Sequence, residues 1–132
     1  MDDKSREDAI VSRFPQYARF GKTFEKAVDA VVRGYVKAHV FVPSGRIIYT
    51  VVGSGGDEFI DPEKPYCSCS NFFFRVMDGK REYCYHLLGY KMAVESKKVE
   101  QITFDDDEYS DFLRIITVDV LNNLSEKRDK SS

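Results

Sequence analysis

The stretch "YCSCSNFFFRVMDGKREYCYH", residues 66–86, contains all three cysteines of the chain and one of its two histidines. One residue separates Cys67 from Cys69 and one separates Cys84 from His86, with fourteen residues between the pairs. Three thiolates and an imidazole are the soft and borderline donors that tetrahedral zinc prefers, and four protein donors close its shell, the pattern of a structural ion. In a flat strand Cys67 and Cys69 would share a face, and a tight turn through small Ser68 and Ser70 lets both sulfurs converge on one ion. Cys84 and His86 cannot share a helix face, because positions i and i+2 lie about 200° apart. Cys84 is therefore expected just before a helix, with His86 in its first turn. The plainer reading, buried small hydrophobes, gives no reason for three cysteines to fall within eighteen residues and pair with a histidine.

Composition sets the frame for that site. A chain of 132 residues with 42% hydrophobic content suits one domain, 1–132, of a size that gains from a metal staple. No run of eighteen apolar residues occurs, and the charged start "MDDKSREDAIVSRF" has no apolar core of a secretory signal. A protein that is not secreted, cytoplasmic or nuclear in a eukaryote, is the expectation, and a reducing setting favours thiolates over disulfides. Net charge is −2, yet residues 13–46 carry seven cations against two acids and residues 72–98 carry six against three. Acid gathers in "FDDDEYSD", residues 104–111. Such segregation can make a basic face on a slightly acidic protein, and can equally be two solvated surfaces.

Around the cysteines the fold class reads as α+β. Apolar Tyr17, Phe20, Phe24, Ala27, Val28, Val31 and Tyr35 recur at helical spacing over residues 16–35, with Arg19, Lys22, Lys26 and Arg33 on the opposite side. This predicts an N-terminal amphipathic helix with a basic stripe, stopping near Gly34, and a shorter helix before Pro15. "YVKAHVFV" and "RIIYTVVG", joined by "PSG", predict an antiparallel β-hairpin, and a short third strand is expected at 58–61 after the "GSGG" loop. "HLLGYKMAVESKK" reads as a helix despite Gly89. A C-terminal helix follows, with carboxylates at its N-terminal end and an apolar stripe of Tyr109, Phe112, Leu113, Ile116, Val120 and Leu124. Residues 125–132 read as a frayed tail.

C-x-C, a spacer, then C-x-H, with "YTVVGS" before the first pair and "YCYHLLGYKMA" after the second, resembles the SWIM zinc finger. The resemblance spans residues 49–93 and implies a ββα-type module around one zinc ion, with Cys67, Cys69, Cys84 and His86 as ligands. A small stand-alone SWIM protein is also similar to recombination accessory factors of the Shu-complex type, which work with recombinase paralogues. In those the ending is C-x-H-x-x-A, and Gly89 stands at the alanine position here.

The remaining motifs weigh against catalysis. A cysteine nucleophile with His86 or His39 as base would leave the other thiols unexplained, so no enzyme activity is expected. The zinc-deaminase signature is absent, and "GSGG" lacks the lysine of a phosphate-binding loop. His39 alternates with apolar strand residues and reads as a strand histidine rather than a fifth ligand. Phe72, Phe73 and Phe74 read as local core, with at most one exposed to stack on a base. Two functions follow. One is a nucleic-acid module that grips DNA or RNA through Arg19, Lys22, Lys26, Arg33, Arg75, Lys80, Arg81 and Lys91. The other is an adaptor that docks a recombination or other DNA-processing protein, which the acidic segment favours because it would repel a phosphate backbone. Neither requires a membrane or a small-molecule substrate.

Overall fold

The structure, a computed structural model, describes residues 2–53, 56–69, 79 and 83–131, with the backbone alone at 120 and from 123 onward. Helix α1 (Asp3–Arg13) begins where the Asp2 side chain accepts a hydrogen bond from the Ser5 amide, and it ends at Phe14, ahead of Pro15. The segment expected as one amphipathic helix is two elements: a 3₁₀ turn, Pro15–Phe20, and helix α2 (Lys22–Val32). The break is Gly21, at φ 59° and ψ −122°, a conformation that no side-chain-bearing residue adopts without strain. Periodicity survives the break, because Phe24, Ala27, Val28 and Val31 are buried on α2 and Tyr17 is buried in the turn. Gly34, at φ 72°, lies just past the end of α2.

Strands β1 (Val36–Val42) and β2 (Arg46–Gly53) form the expected hairpin. β3 (Gly56–Asp61) pairs with β2 from Gly53 opposite Gly56, so it is longer than the sequence suggested. A two-residue β4 (Tyr66–Cys67) adds to β3. Helix α3 (Tyr85–Ser96) leads to β5 (Glu100–Asp105), a strand the sequence reading missed, which lies parallel to β1. The sheet order is β4-β3-β2-β1-β5. Ile102 and Phe104 are β5's only large apolar residues, so its pairing is decided by the distant β1 and not by a local pattern.

Each sheet face carries its own helical layer. Val36, Val51, Ile60 and Cys67 join a core with Ala27, Val28 and Val31 of α2 and with Leu87, Leu88 and Met92 of α3. The opposite face carries His39, Phe41 and Phe104, whose rings pack with Phe112 and Tyr109 of helix α4 (Tyr109–Ser131). α4 continues through Ser131, across the segment read as a tail. Of its expected stripe, Tyr109 and Phe112 meet the sheet and Ile116 is buried, whereas Leu113 is 37% exposed; the side chains of Val120 and Leu124 lie outside the described residues.

The acids of residues 104–111 have structural partners. Asp105 and Glu108 form a reciprocal capping box at a 3₁₀ turn, Asp106–Glu108, ahead of α4. Asp106 accepts hydrogen bonds from the Ser44 amide at 3.0 Å and the Ser44 hydroxyl at 2.7 Å, tying the β1–β2 turn to the start of α4. His39 is a buried strand residue 2.9 Å from the Thr50 hydroxyl, and burial pushes its pKa down.

Two glycines differ in what they require. A Cβ at Gly21 would meet nothing within 4 Å, so Gly21→Ala suffers from backbone strain alone, about 1–3 kcal/mol. A Cβ at Gly89 would lie 3.6 Å from the Ala27 carbonyl and 3.7 Å from the Ala30 Cβ, ordinary contact distances. Gly89→Ala therefore removes a helix-interior glycine and raises stability by about 0.5–1 kcal/mol. Denaturant melts of the metal-loaded protein check both signs. A destabilised Gly89→Ala would mean that α2 and α3 pack closer than their contacts indicate.

Candidate metal centre

Two segments deliver the four donors. Cys67 closes β4 opposite Ile60, and Cys69 follows one residue beyond Ser68. Ser68 fixes that exit: its amide donates to the Phe59 carbonyl at 3.0 Å, and its hydroxyl oxygen accepts from the Phe59 amide at 2.8 Å. The same hydroxyl donates to the buried Glu58 carboxylate at 2.8 Å. With Ser68 bonded to β3, the two neighbouring cysteines are held as a pair. Cys84 is the N-cap of α3, extended at ψ 163°, and its sulfur accepts from the Leu87 amide at 3.4 Å. His86 lies in the first turn of α3.

Ligand atoms of Cys67, Cys69, Cys84 and His86 all lie within 4.8 Å of one another, and all four residues are buried. Zinc–sulfur bonds of about 2.3 Å in a tetrahedron need sulfur–sulfur edges of about 3.8 Å, so small shifts close the set around one ion. The donors carry the marks of a cation site. Hydrogen bonds from Cys67 and Cys84 hold the Cys69 thiol well below the usual range, while burial pushes Cys67 up. Buried thiolates this close together repel one another, so a cation among them is what favours ionisation of all three. His86 Nδ1 is buried with no hydrogen-bond partner among the described residues, an unmet polar atom that a metal or a proton-sharing thiolate satisfies. The residues present fit a metal ion.

Gly53, which the sequence reading passed over as part of a loop, is built into this site. A Cβ there would stand 2.9 Å from His86 Nε2, 3.2 Å from the Tyr85 hydroxyl and 3.3 Å from the Gly56 carbonyl. The end of β2 therefore lies close against the imidazole, while the Tyr85 ring leans on it at a tilt of 32°, ring centres 3.9 Å apart. The alternation Tyr83-Cys84-Tyr85-His86 was the available signal for such aromatic flanking.

The eight candidate cations separate into groups. Arg75, Lys80 and Arg81 lie outside the described residues, as do Phe72, Phe73 and Phe74. The Arg19 guanidinium sits 4.4 Å over the Phe20 ring. Lys91 donates to the Tyr83 hydroxyl at 3.1 Å. Its ammonium is 5.5 Å from that ring's centre, so it lies at the hydroxyl rim and not over the face. Rings of Tyr17, Phe20 and Tyr83 touch one another at 5.6–6.3 Å and so join Arg19 and Lys91 in one cluster. Lys26 is 5.7 Å over Tyr85, on the other side of Cys84 in sequence. Lys22 is exposed on the first turn of α2. Arg33 is not part of the aromatic cluster; its Nε is paired at 2.7 Å with Asp29.

Comparison with known proteins gives two relatives. The chain is 30% identical over 108 residues to "Zinc finger SWIM domain-containing protein 7 homolog" of Dictyostelium discoideum, covering 80% of this chain and 68% of that one. It is 32% identical over 96 residues to "Zinc finger SWIM domain-containing protein 7" of Mus musculus, covering 71% of this chain and 62% of that one. No family model matches the chain. No solved structure matches it.

Metal analysis of purified protein is expected to find close to one equivalent of zinc, and Cys67→Ser to lose it together with cooperative unfolding. Gly53→Ala displaces the imidazole while keeping all four donors, so metal affinity against a competing chelator falls about 10–100-fold. Metal-free wild type with unchanged stability would remove the site, and unchanged affinity in Gly53→Ala would remove the role of Gly53.

Proposed function

This chain belongs to the SWIM zinc-finger family, and we propose that it is a nucleic-acid-binding accessory module of DNA transactions whose zinc is structural. Cys67, Cys69, Cys84 and His86 hold the ion in this reading. Four protein donors leave no open position for a reacting group, so we assign no catalysis. When bound, the metal supplies cohesion between β4 and the start of α3. The chain's own residues do the rest: Ser68 holds the cysteine pair, and Cys84 caps the helix that carries His86 and Lys91.

The observation that carries the reading is the seating of Arg19, Lys91 and Lys26 on aromatic side chains of the turn before α2 and the segment around Cys84. Cations fixed in this way lose less conformational entropy when they meet phosphates than freely moving ones do. The acidic segment no longer counts against it. Asp105, Asp106 and Glu108 serve the α4 end of the other sheet face, away from the metal layer. Among the described residues no helix is long and apolar enough to cross a membrane. In this reading the protein works in the cytoplasm, or in the nucleus of a eukaryotic cell.

A second reading has its own support. α4 turns Ile115, Val118 and Leu121 outward at 61%, 49% and 61% exposure, an apolar ridge that suits a protein partner such as a recombinase or helicase. The two readings separate in solution. Fluorescence anisotropy with single- and double-stranded oligonucleotides is expected to give affinities that fall steeply between 50 and 200 mM salt, about 0.7–0.9 in logarithmic slope per phosphate contact. Arg19→Glu flattens that slope. Absence of binding at low salt would leave the adaptor reading alone.

A further inference from the structure

The rings of Tyr17, Phe20 and Tyr83 beside basic side chains look at first like a surface on which unpaired bases could stack. Their geometry argues otherwise. Tyr17 is stacked between Phe14 at 6.0 Å and Phe20 at 6.2 Å. Phe20 meets Tyr83 edge to face at 5.6 Å and carries the Arg19 guanidinium over its ring at 4.4 Å. Tyr83 meets Tyr17 in a second edge contact at 6.3 Å. The aromatic faces are engaged with one another and with a cation. What the cluster presents outward is charge: Lys91 is exposed on α3, and the Tyr83 hydroxyl accepts one of the three hydrogen bonds its ammonium can donate.

We infer that Tyr17, Phe20 and Tyr83 form a holder that fixes Lys91 and Arg19 for the sugar–phosphate backbone and reads no bases. This rests on the nucleic-acid reading above and narrows it. Tyr83 is a positioning residue: it touches no phosphate itself, and its hydroxyl, together with Tyr17, sets where the Lys91 ammonium stands. Because Tyr83 directly precedes the metal-binding Cys84, the placement of this cation follows from the placement of the metal helix.

The test compares an ordinary single-stranded oligonucleotide with an abasic one of equal length, titrated against the zinc-loaded full chain. Lys91→Gln is expected to weaken binding to both by the same factor, several-fold, and to flatten the salt slope of both by about one phosphate contact. Tyr83→Phe keeps the net charge and the ring while removing one of the two tyrosine contacts that hold the ammonium, and it weakens both equally by a smaller factor. Zinc content of each variant, unchanged from wild type, verifies that the fold is intact. A loss confined to the base-bearing strand would overturn the inference while leaving nucleic-acid binding standing. So would unaltered affinity in Lys91→Gln. Failure of the wild type to bind either strand would overturn the broader reading, and this one with it.

Discussion

Convergence of Cys67, Cys69, Cys84 and His86 on one small volume is the constraint on which the rest of the metal layer depends. β4 is two residues long and has too few ladder bonds to hold a sheet edge alone. Its fixing comes from Ser68 on β3 and from the shared donors that tie it to the start of α3. α3 in turn is buried along His86, Leu87, Leu88, Gly89, Met92 and Ala93, and Gly89 brings it close to Ala27 and Ala30 of α2. A chain of contact therefore runs from the donors through α3 to the helix before the sheet. Without a cation its first link holds buried thiols and an unmet imidazole nitrogen, which is costly in a domain this small.

Charge segregation has a physical account once the two sheet faces are separated. Residues 104–111 are acidic because a helix N-terminus, a turn and a capping box all use carboxylates there. Arg33 is basic yet neutralised by Asp29 one turn earlier. Among the described residues Lys91 and Lys26 sit on the tyrosines that flank Cys84. Sequence counts of cations and acids measured neither neutralisation nor facing.

Much of this was legible in the sequence where short-range rules decide. The C-x-H pair fixed Cys84 before a helix and His86 within it because i and i+2 diverge on a helix. The "PSG" hairpin, the stop at Gly34 and the helix before Pro15 follow from local turn chemistry in the same way. Errors arose where a longer-range contact or a backbone requirement prevailed. Helical periodicity over 16–35 concealed Gly21, whose backbone outranks amphipathic spacing. β5 depends on β1, some sixty residues earlier, and Gly53 matters only because His86 folds against it. The aromatic holder around Tyr83 was invisible because its rings come from the turn before α2 and the approach to α3.

Metal and surface are coupled by adjacency along one helix. Cys84 is at once a member of the candidate metal site and the N-cap, Tyr83 and Tyr85 are its neighbours, and Lys91 projects from the same α3 about two turns on. Any displacement of the helix start moves Tyr83, Tyr85 and the ammonium together. A ligand that prefers the cations in their seated positions must then also favour the metal-bound helix, since binding equilibria that share one conformation are reciprocally linked. On the proposed reading, phosphate contact therefore strengthens metal retention, and metal retention strengthens phosphate contact, although no ligand of either kind touches the other. On that reading an ion held at these four donors acts on the surface through the helix it helps to start.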